Sequence, residues 1–267
     1  MAIGLSTYAY FWRTAATATR PVSLSRMLQD ARRLGATVFQ ICDYPPLEAM
    51  DRVDLTALRE EAAGNGLRLE IGTRGVDVAH LRRYLSIAQH LDAGLVRSMV
   101  ATADAVPALD AAAANLIEIM PEFETAGVQL SLETYEQVSC ADLVALVARV
   151  GSSRLGICLD PANSIAALDL PADVIRLTAP FVTNVHVKDF AFARREGGQG
   201  FTVTGTRLGT GQLDYAGMIA AIDPGTRGVN LILEHWMPWQ GDEASTVALE
   251  EEWTEHGMAF LLEHRPV

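Results

Sequence analysis

Long apolar runs, paired cysteines, lysine and excess positive charge are all scarce in this chain, and each shortage excludes something. No apolar run in the 267 residues approaches the roughly 18 residues a membrane span requires. Met1 to Tyr10 read into a strand without the basic start of an export signal, so a cytoplasmic protein with no membrane partner is expected. Cys42, Cys140 and Cys158 are widely spaced and form no Cys-x-x-Cys, which excludes a zinc ribbon or dithiol motif and leaves buried thiols. The 21 Lys and Arg face 33 Asp and Glu, and the net charge of −12 argues against a nucleic-acid partner. Twenty of those basic residues are arginine, and Lys188 is the only lysine. Such a survivor carries meaning where a compact, titratable ammonium is needed and guanidinium cannot substitute. Neither Gly-x-Gly-x-x-Gly nor a Walker A sequence is present to support a dinucleotide or P-loop fold.

What is present is alternation. Eight short apolar runs read as strands: 3–8, 37–42, 67–72, 95–99, 128–133, 155–160, 182–187 and 229–234. Between them lie helical stripes, among them Leu24, Leu28 and Ala31; Val78, Leu81, Leu85 and Ala88; Leu143, Val147 and Val150; and Leu249, Trp253 and Phe260. Ser23 and Ser139 stand at N-cap positions, and Gly35, Gly66 and Gly127 precede strands. Eight β-α units in this length predict a (β/α)8 TIM barrel as a single domain over 1–267. A doubly wound open sheet is the alternative. The glycine-rich stretch 191–213 is expected to be an irregular loop over the barrel mouth, either a lid or plain surface.

In a TIM barrel the chemistry sits where strands end. Glu133, Asp160, His186 and Glu234 close the fifth to eighth strands. Three carboxylates in one mouth repel unless a cation neutralises them, and three oxygen donors with one imidazole suit Mn²⁺, with Mg²⁺ or Co²⁺ possible, better than Zn²⁺. Taken singly, each could be a cap, a surface ion pair or a satisfied core histidine. Lys188 shares a strand face with His186 and is a candidate for proton transfer or for holding a substrate oxygen. Substrate contacts are expected from Tyr8, Tyr10 and Trp12 on one face of the first strand end, from Gln40, Arg74 and Asn163, from Arg207 in the loop, and from Trp236. Arg13 and Arg97 have ambiguous register.

These residues resemble the xylose-isomerase-like superfamily of TIM barrels, which includes sugar phosphate isomerases and epimerases. The resemblance spans the chain and is strongest in Leu130-Ser-Leu-Glu133, Cys158-Leu-Asp160-Pro-Ala-Asn163, Asn184-Val-His186-Val-Lys188-Asp189, Leu208-Gly-Thr-Gly211-Gln-Leu-Asp214 and Leu233-Glu234-His235. It implies Glu133, Asp160, His186 and Glu234 as metal ligands, Glu133 and Glu234 as an acid/base pair, and Arg207 as a lid arginine. Asn163 stands where ketose epimerases typically carry a histidine-bearing segment, so contacts on that side differ. The implied activity is isomerisation or epimerisation of a keto sugar through a metal-stabilised enediolate. The alternative is a lyase acting on an oxidised sugar, a 3-oxo sugar acid decarboxylase or a C-glycoside-cleaving enzyme. An apurinic-site endonuclease activity fits six histidines and an acidic surface poorly. The expected partner is a small keto sugar or sugar acid, with homo-oligomerisation possible.

Overall fold

The strands of this computed structural model, which describes residues 1–15 and 17–266, are β1 (Ile3–Ser6), β2 (Val38–Cys42), β3 (Arg68–Gly72), β4 (Leu95–Ser98), β5 (Gln129–Glu133), β6 (Leu155–Leu159), β7 (Val182–Val187), β8 (Phe190–Arg194), β9 (Phe201–Gly205) and β10 (Asn230–Leu233). All but β8 and β9 close into a parallel ring in the order β1-β10-β7-β6-β5-β4-β3-β2. This is the expected (β/α)8 barrel.

Period-two alternation sorts the side chains. Leu130 and Leu132 of β5, or Leu231 and Leu233 of β10, join the apolar layer between the barrel and its helices. The intervening Ser131, Glu133, Asn184 and His186 are equally buried but lie outside that layer. Ala2, Val38 and Ile232 form a separate small apolar cluster. The inner face of this barrel is therefore largely polar, where branched apolar side chains usually dominate.

Local signals were read correctly at several helix ends. The Ser23 hydroxyl accepts from the Arg26 N–H at 3.2 Å and that of Ser139 from Asp142 at 3.1 Å, caps worth about 1 kcal/mol each. Gly127 ends the helix Leu109–Ala126 at φ 70°, a left-handed position that a side chain disfavours. The stripe expected on the last helix, Glu243–Glu263, is offset. Its buried face is Thr246, Glu250, Thr254, Gly257, Met258 and Leu261, while Leu249, Trp253 and Phe260 are half-buried. Glu250 is drawn inward by Arg13, 2.8 Å away, and by the Trp12 N–H.

Two further expectations are corrected. The chain leaves β1 at Ser6 and turns through a 3₁₀ segment, Thr7–Tyr10, so strand alternation does not extend to Tyr8, Tyr10 and Trp12. The stretch 191–213 is irregular only in part, because β8 and β9 within it pair antiparallel as a hairpin. Its return segment is pinned by buried Asp189, which accepts from the N–H groups of Phe190, Gly209, Gly211 and Leu213 at 2.8–3.0 Å. Gly205, at the hairpin base, lies against the Trp236 backbone with no room for a side chain. No helix among the described residues is long and apolar enough to cross a membrane.

Candidate active site

Glu133 ends β5, Asp160 follows β6, His186 lies within β7 with Lys188 just beyond it, and Glu234 follows β10; all five are buried. His186 Nδ1 is 3.5 Å from Glu234 Oε1 and 3.7 Å from Glu133 Oε2. Lys188 Nζ bridges Asp160 Oδ2 at 2.7 Å and Glu234 Oε2 at 3.1 Å, 4.8 Å from the centre of the Trp236 ring. Ser6 Oγ donates to Glu234 Oε1 at 2.7 Å, and Asn163 Nδ2 donates to Glu133 Oε1 at 2.8 Å.

Burial would raise the Glu133 carboxyl, but Arg97, then His186 and Lys188, outweigh it and hold it below the ordinary carboxylate range. Glu234 is lowered in the same way, against burial, by His186 and Lys188. Asp160 goes the other way, because its burial outweighs the pull of Lys188. For Lys188 burial would lower the ammonium, yet Asp160, Glu234 and Glu133 together raise it above its ordinary value. Lys188 is thus a paired cation between Asp160 and Glu234.

Opposite this acidic wall stands a second cluster. Asp43 Oδ2 accepts from Tyr8 Oη at 2.6 Å and from Arg74 Nε at 3.1 Å, and lies 3.7 Å from Arg97. Arg97 is fully buried and also makes an ion pair with Glu133, its N–H not aligned for a hydrogen bond. Asp43 holds φ 46°, a sparsely populated conformation for a non-glycine residue that the three-way pairing sustains. A hollow of about 230 Å³ opens beside this cluster, lined by Thr7, Tyr8, Phe11, Cys42, Asp43 and Tyr44. A larger one of about 520 Å³ lies at the opposite end of the barrel, away from the carboxylates.

Of the other expected contacts, Trp12 donates its indole N–H to the Met237 carbonyl at 2.7 Å and packs on Trp239, with Trp236 exposed nearby in sequence. Tyr10 does not face the mouth: it is buried against Phe39, with its hydroxyl on the Met27 carbonyl. Arg207 is exposed and pairs with Glu252 on the last helix, because the return segment that carries it is pinned outward. Gln40 is fully buried in the barrel floor and bonds Glu70, Asn184 and His186, out of reach of the rim. Asn163 directs its amide to Glu133 and the Thr134 carbonyl.

Three of the four expected ligands bring donor atoms together in a way that suits a cation. His186 Nδ1 is buried without a hydrogen-bond partner and converges with Glu234 Oε1 and with Glu133 Oε2, which is ion-paired to Arg97. Sequence reasoning missed two neighbours. Cys42 lies with His186 and Glu234, and Cys158 with Glu133 and His186, their donor atoms within 4.8 Å of one another. Burial drives both thiols well above their ordinary pKa. Strand parity was the signal available for both, and it also applies to Ser6.

The profile of the xylose isomerase-like TIM barrel matches residues 28–264. The chain belongs to that family. It is 49% identical over 266 residues, 100% of this chain and 97% of the relative, to 3-oxo-isoapionate decarboxylase of Pectobacterium atrosepticum. Among solved structures it resembles D-psicose 3-epimerase with D-tagatose from Clostridium cellulolyticum H10, at TM-score 0.74 and 16% identity over 99% and 98% of the two chains. A xylose isomerase-like TIM barrel protein of Mycobacterium smegmatis, in complex with magnesium, gives 0.70 and 20% over 97% of each chain. At such identities the likeness is one of fold. Like its family, the chain is an enzyme of the sugar isomerase, epimerase or lyase type.

Proposed function

We propose that this member of the xylose isomerase-like family decarboxylates a 3-oxo sugar acid of the 3-oxo-isoapionate type, with a divalent cation as cofactor. The observation that carries this reading is the 49% identity along the whole chain to a 3-oxo-isoapionate decarboxylase. It favours the lyase over the isomerase or epimerase. The charges at the mouth support it. Four carboxylates, Glu133, Asp160, Glu234 and Asp43, face three fixed cations, Lys188, Arg97 and Arg74. A divalent ion on Glu133, Asp160, His186 and Glu234 leaves one positive charge, which a substrate carboxylate neutralises and a neutral ketose does not.

When bound, the ion supplies Lewis-acid stabilisation of charge developing on the keto oxygen. In a 3-oxo acid the bond between C1 and C2 breaks, CO₂ leaves, and its electron pair becomes an enolate over C2, C3 and the keto oxygen. C2 then takes up a proton from water. No base has to remove a C–H proton, and Glu133, held low by Arg97, is a weak base. Lys188 keeps Asp160 and Glu234 in place and offers an N–H to a substrate oxygen. Arg74, one-third exposed at the rim, is proposed to meet the substrate carboxylate, and Trp12 and Trp236 to cover the sugar C–H face.

The test is to incubate Mg²⁺-loaded protein with 3-oxo-isoapionate in D₂O and follow CO₂ and the ¹³C spectrum. Release of CO₂ with one deuterium on the carbon that bore the carboxylate is expected. Deuterium exchange into keto sugars without CO₂ would establish an isomerase or epimerase instead.

A further inference from the structure

Under the mouth, a row of buried or half-buried amides and one carboxylate crosses the barrel: Asn230 on β10, Glu70 on β3, Gln40 on β2, then Asn184 and His186 on β7. We propose that Gln40 and Glu70 are positioning residues that set the tautomer of His186 and thereby present Nδ1, unprotonated, to the cation site. The inference rests on the metal reading above and goes beyond it in naming what orients the ligand.

The polarity of the row begins at a group that can only donate. The Ala2 backbone N–H donates to Asn230 Oδ1 at 2.7 Å, so the amide nitrogen of Asn230 faces the other way and donates to Glu70 Oε1 at 2.6 Å. Glu70 Oε2 accepts from Gln40 Nε2 and Asn184 Nδ2, both at 3.0 Å. A carboxylate with three N–H donors around it acts as acceptor throughout. The Gln40 amide is thereby fixed with its oxygen on the far side, 2.7 Å from His186 Nε2. That oxygen only accepts, so Nε2 must carry a proton, and in the neutral ring Nδ1 is the bare nitrogen. Nδ1 is the buried atom without a hydrogen-bond partner, 3.5 Å from Glu234 and 3.7 Å from Glu133. Were the Gln40 amide reversed, Nε2 would have to accept, and the proton would move to Nδ1, where it blocks ligation.

Two isosteric proteins separate this role from packing. In Glu70→Gln the carboxylate no longer dictates the Gln40 orientation. In the swap Gln40→Glu with Glu70→Gln, Glu at position 40 accepts from His186 Nε2–H and from Gln at position 70, while Asn184 turns over, so every N–H of the row again meets an acceptor and only the weak Cys158 thiol contact is lost. Mn²⁺ affinity by calorimetry should fall about 10- to 100-fold in Glu70→Gln, the usual cost of losing a residue that orients a ligand, and return towards wild type in the swap. In metal-free protein, ¹⁵N spectra of the His186 ring should show protonation at Nε2 in the wild type and the swap, and a shift towards Nδ1–H in Glu70→Gln. Gln40→Met, which keeps the volume and removes the acceptor, should bind Mn²⁺ weakly if Glu70→Gln proves too unstable to purify. The proposal is overturned by wild-type affinity in Glu70→Gln, by a swap as weak as the single variant, or by a wild-type ring that carries Nδ1–H with Nε2 unprotonated. A wild type that takes up no Mn²⁺ overturns the metal reading instead, and the ring-nitrogen spectra still decide the tautomer.

Discussion

Strands β5, β6, β7 and β10 lead into Glu133, Asp160, His186 with Lys188, and Glu234, whereas β1 to β4 lead into Tyr8, Asp43, Arg74 and Arg97. The first wall is acidic and its groups stand on strands or within one residue of a strand end. The second is built around an aspartate at φ 46° and two arginines, and two of its four members sit on turns. Under the proposed function the two walls divide the work of the mouth, one for a cation and the other for an anion. Arg97 is the side chain that touches both, through Glu133 and Asp43.

Removing that link gives the largest expected effect. Arg97→Met removes the buried partner of Glu133, leaving Asp43 to Arg74 and Tyr8, and should cost roughly 3–5 kcal/mol of stability, measured by urea unfolding. A variant as stable as wild type would show that the two walls are independent. On the acidic side alone, Glu234→Gln should lower kcat by at least about 10²-fold, the scale of losing a group that acts in the transition state, and chelation should abolish turnover. Full turnover by metal-free protein would remove the cation from the acidic wall.

On the basic side alone, Arg74→Ala should cost about tenfold in kcat/KM towards a 3-oxo sugar acid and leave binding of a neutral ketose unchanged, while Arg207→Ala leaves both unchanged. Equal losses for acid and ketose would deprive the basic wall of its anion. The smallest effect is on acid stability. Burial would raise Asp43, but Arg97, Arg74 and Tyr8 hold it below its ordinary value, so the unfolded chain takes up this proton before the folded one does. Its contribution is complete above about pH 3.9 and is lost as pH falls through the folded value. Asp43→Asn should flatten that acid limb in unfolding curves taken from pH 5 to pH 2; an unchanged slope would mean that the pairing carries no net stability.

The acidic wall was legible because period two carries a side chain at a strand end to a known face, and four such ends coincide. The basic wall was legible in part, as Arg74. Strand alternation carried past Ser6 puts Tyr8 and Tyr10 on one face, but the 3₁₀ turn there sends Tyr10 into the helix layer and Tyr8 to Asp43. Arg207 was placed at the mouth by its position in a glycine-rich stretch, and Asp189, by pinning the return segment, took it to Glu252.

The sequence by itself determined the barrel, its eight strands and the three carboxylates and one histidine at the ends of four of them, because alternation, length and strand-end position are local properties of the chain. Only the tertiary structure decided which cations answer those carboxylates, that Lys188 is paired between Asp160 and Glu234, and which nitrogen of His186 faces them. Each of these depends on hydrogen bonds and charge between residues 28 to 228 positions apart, and no local pattern encodes such distances.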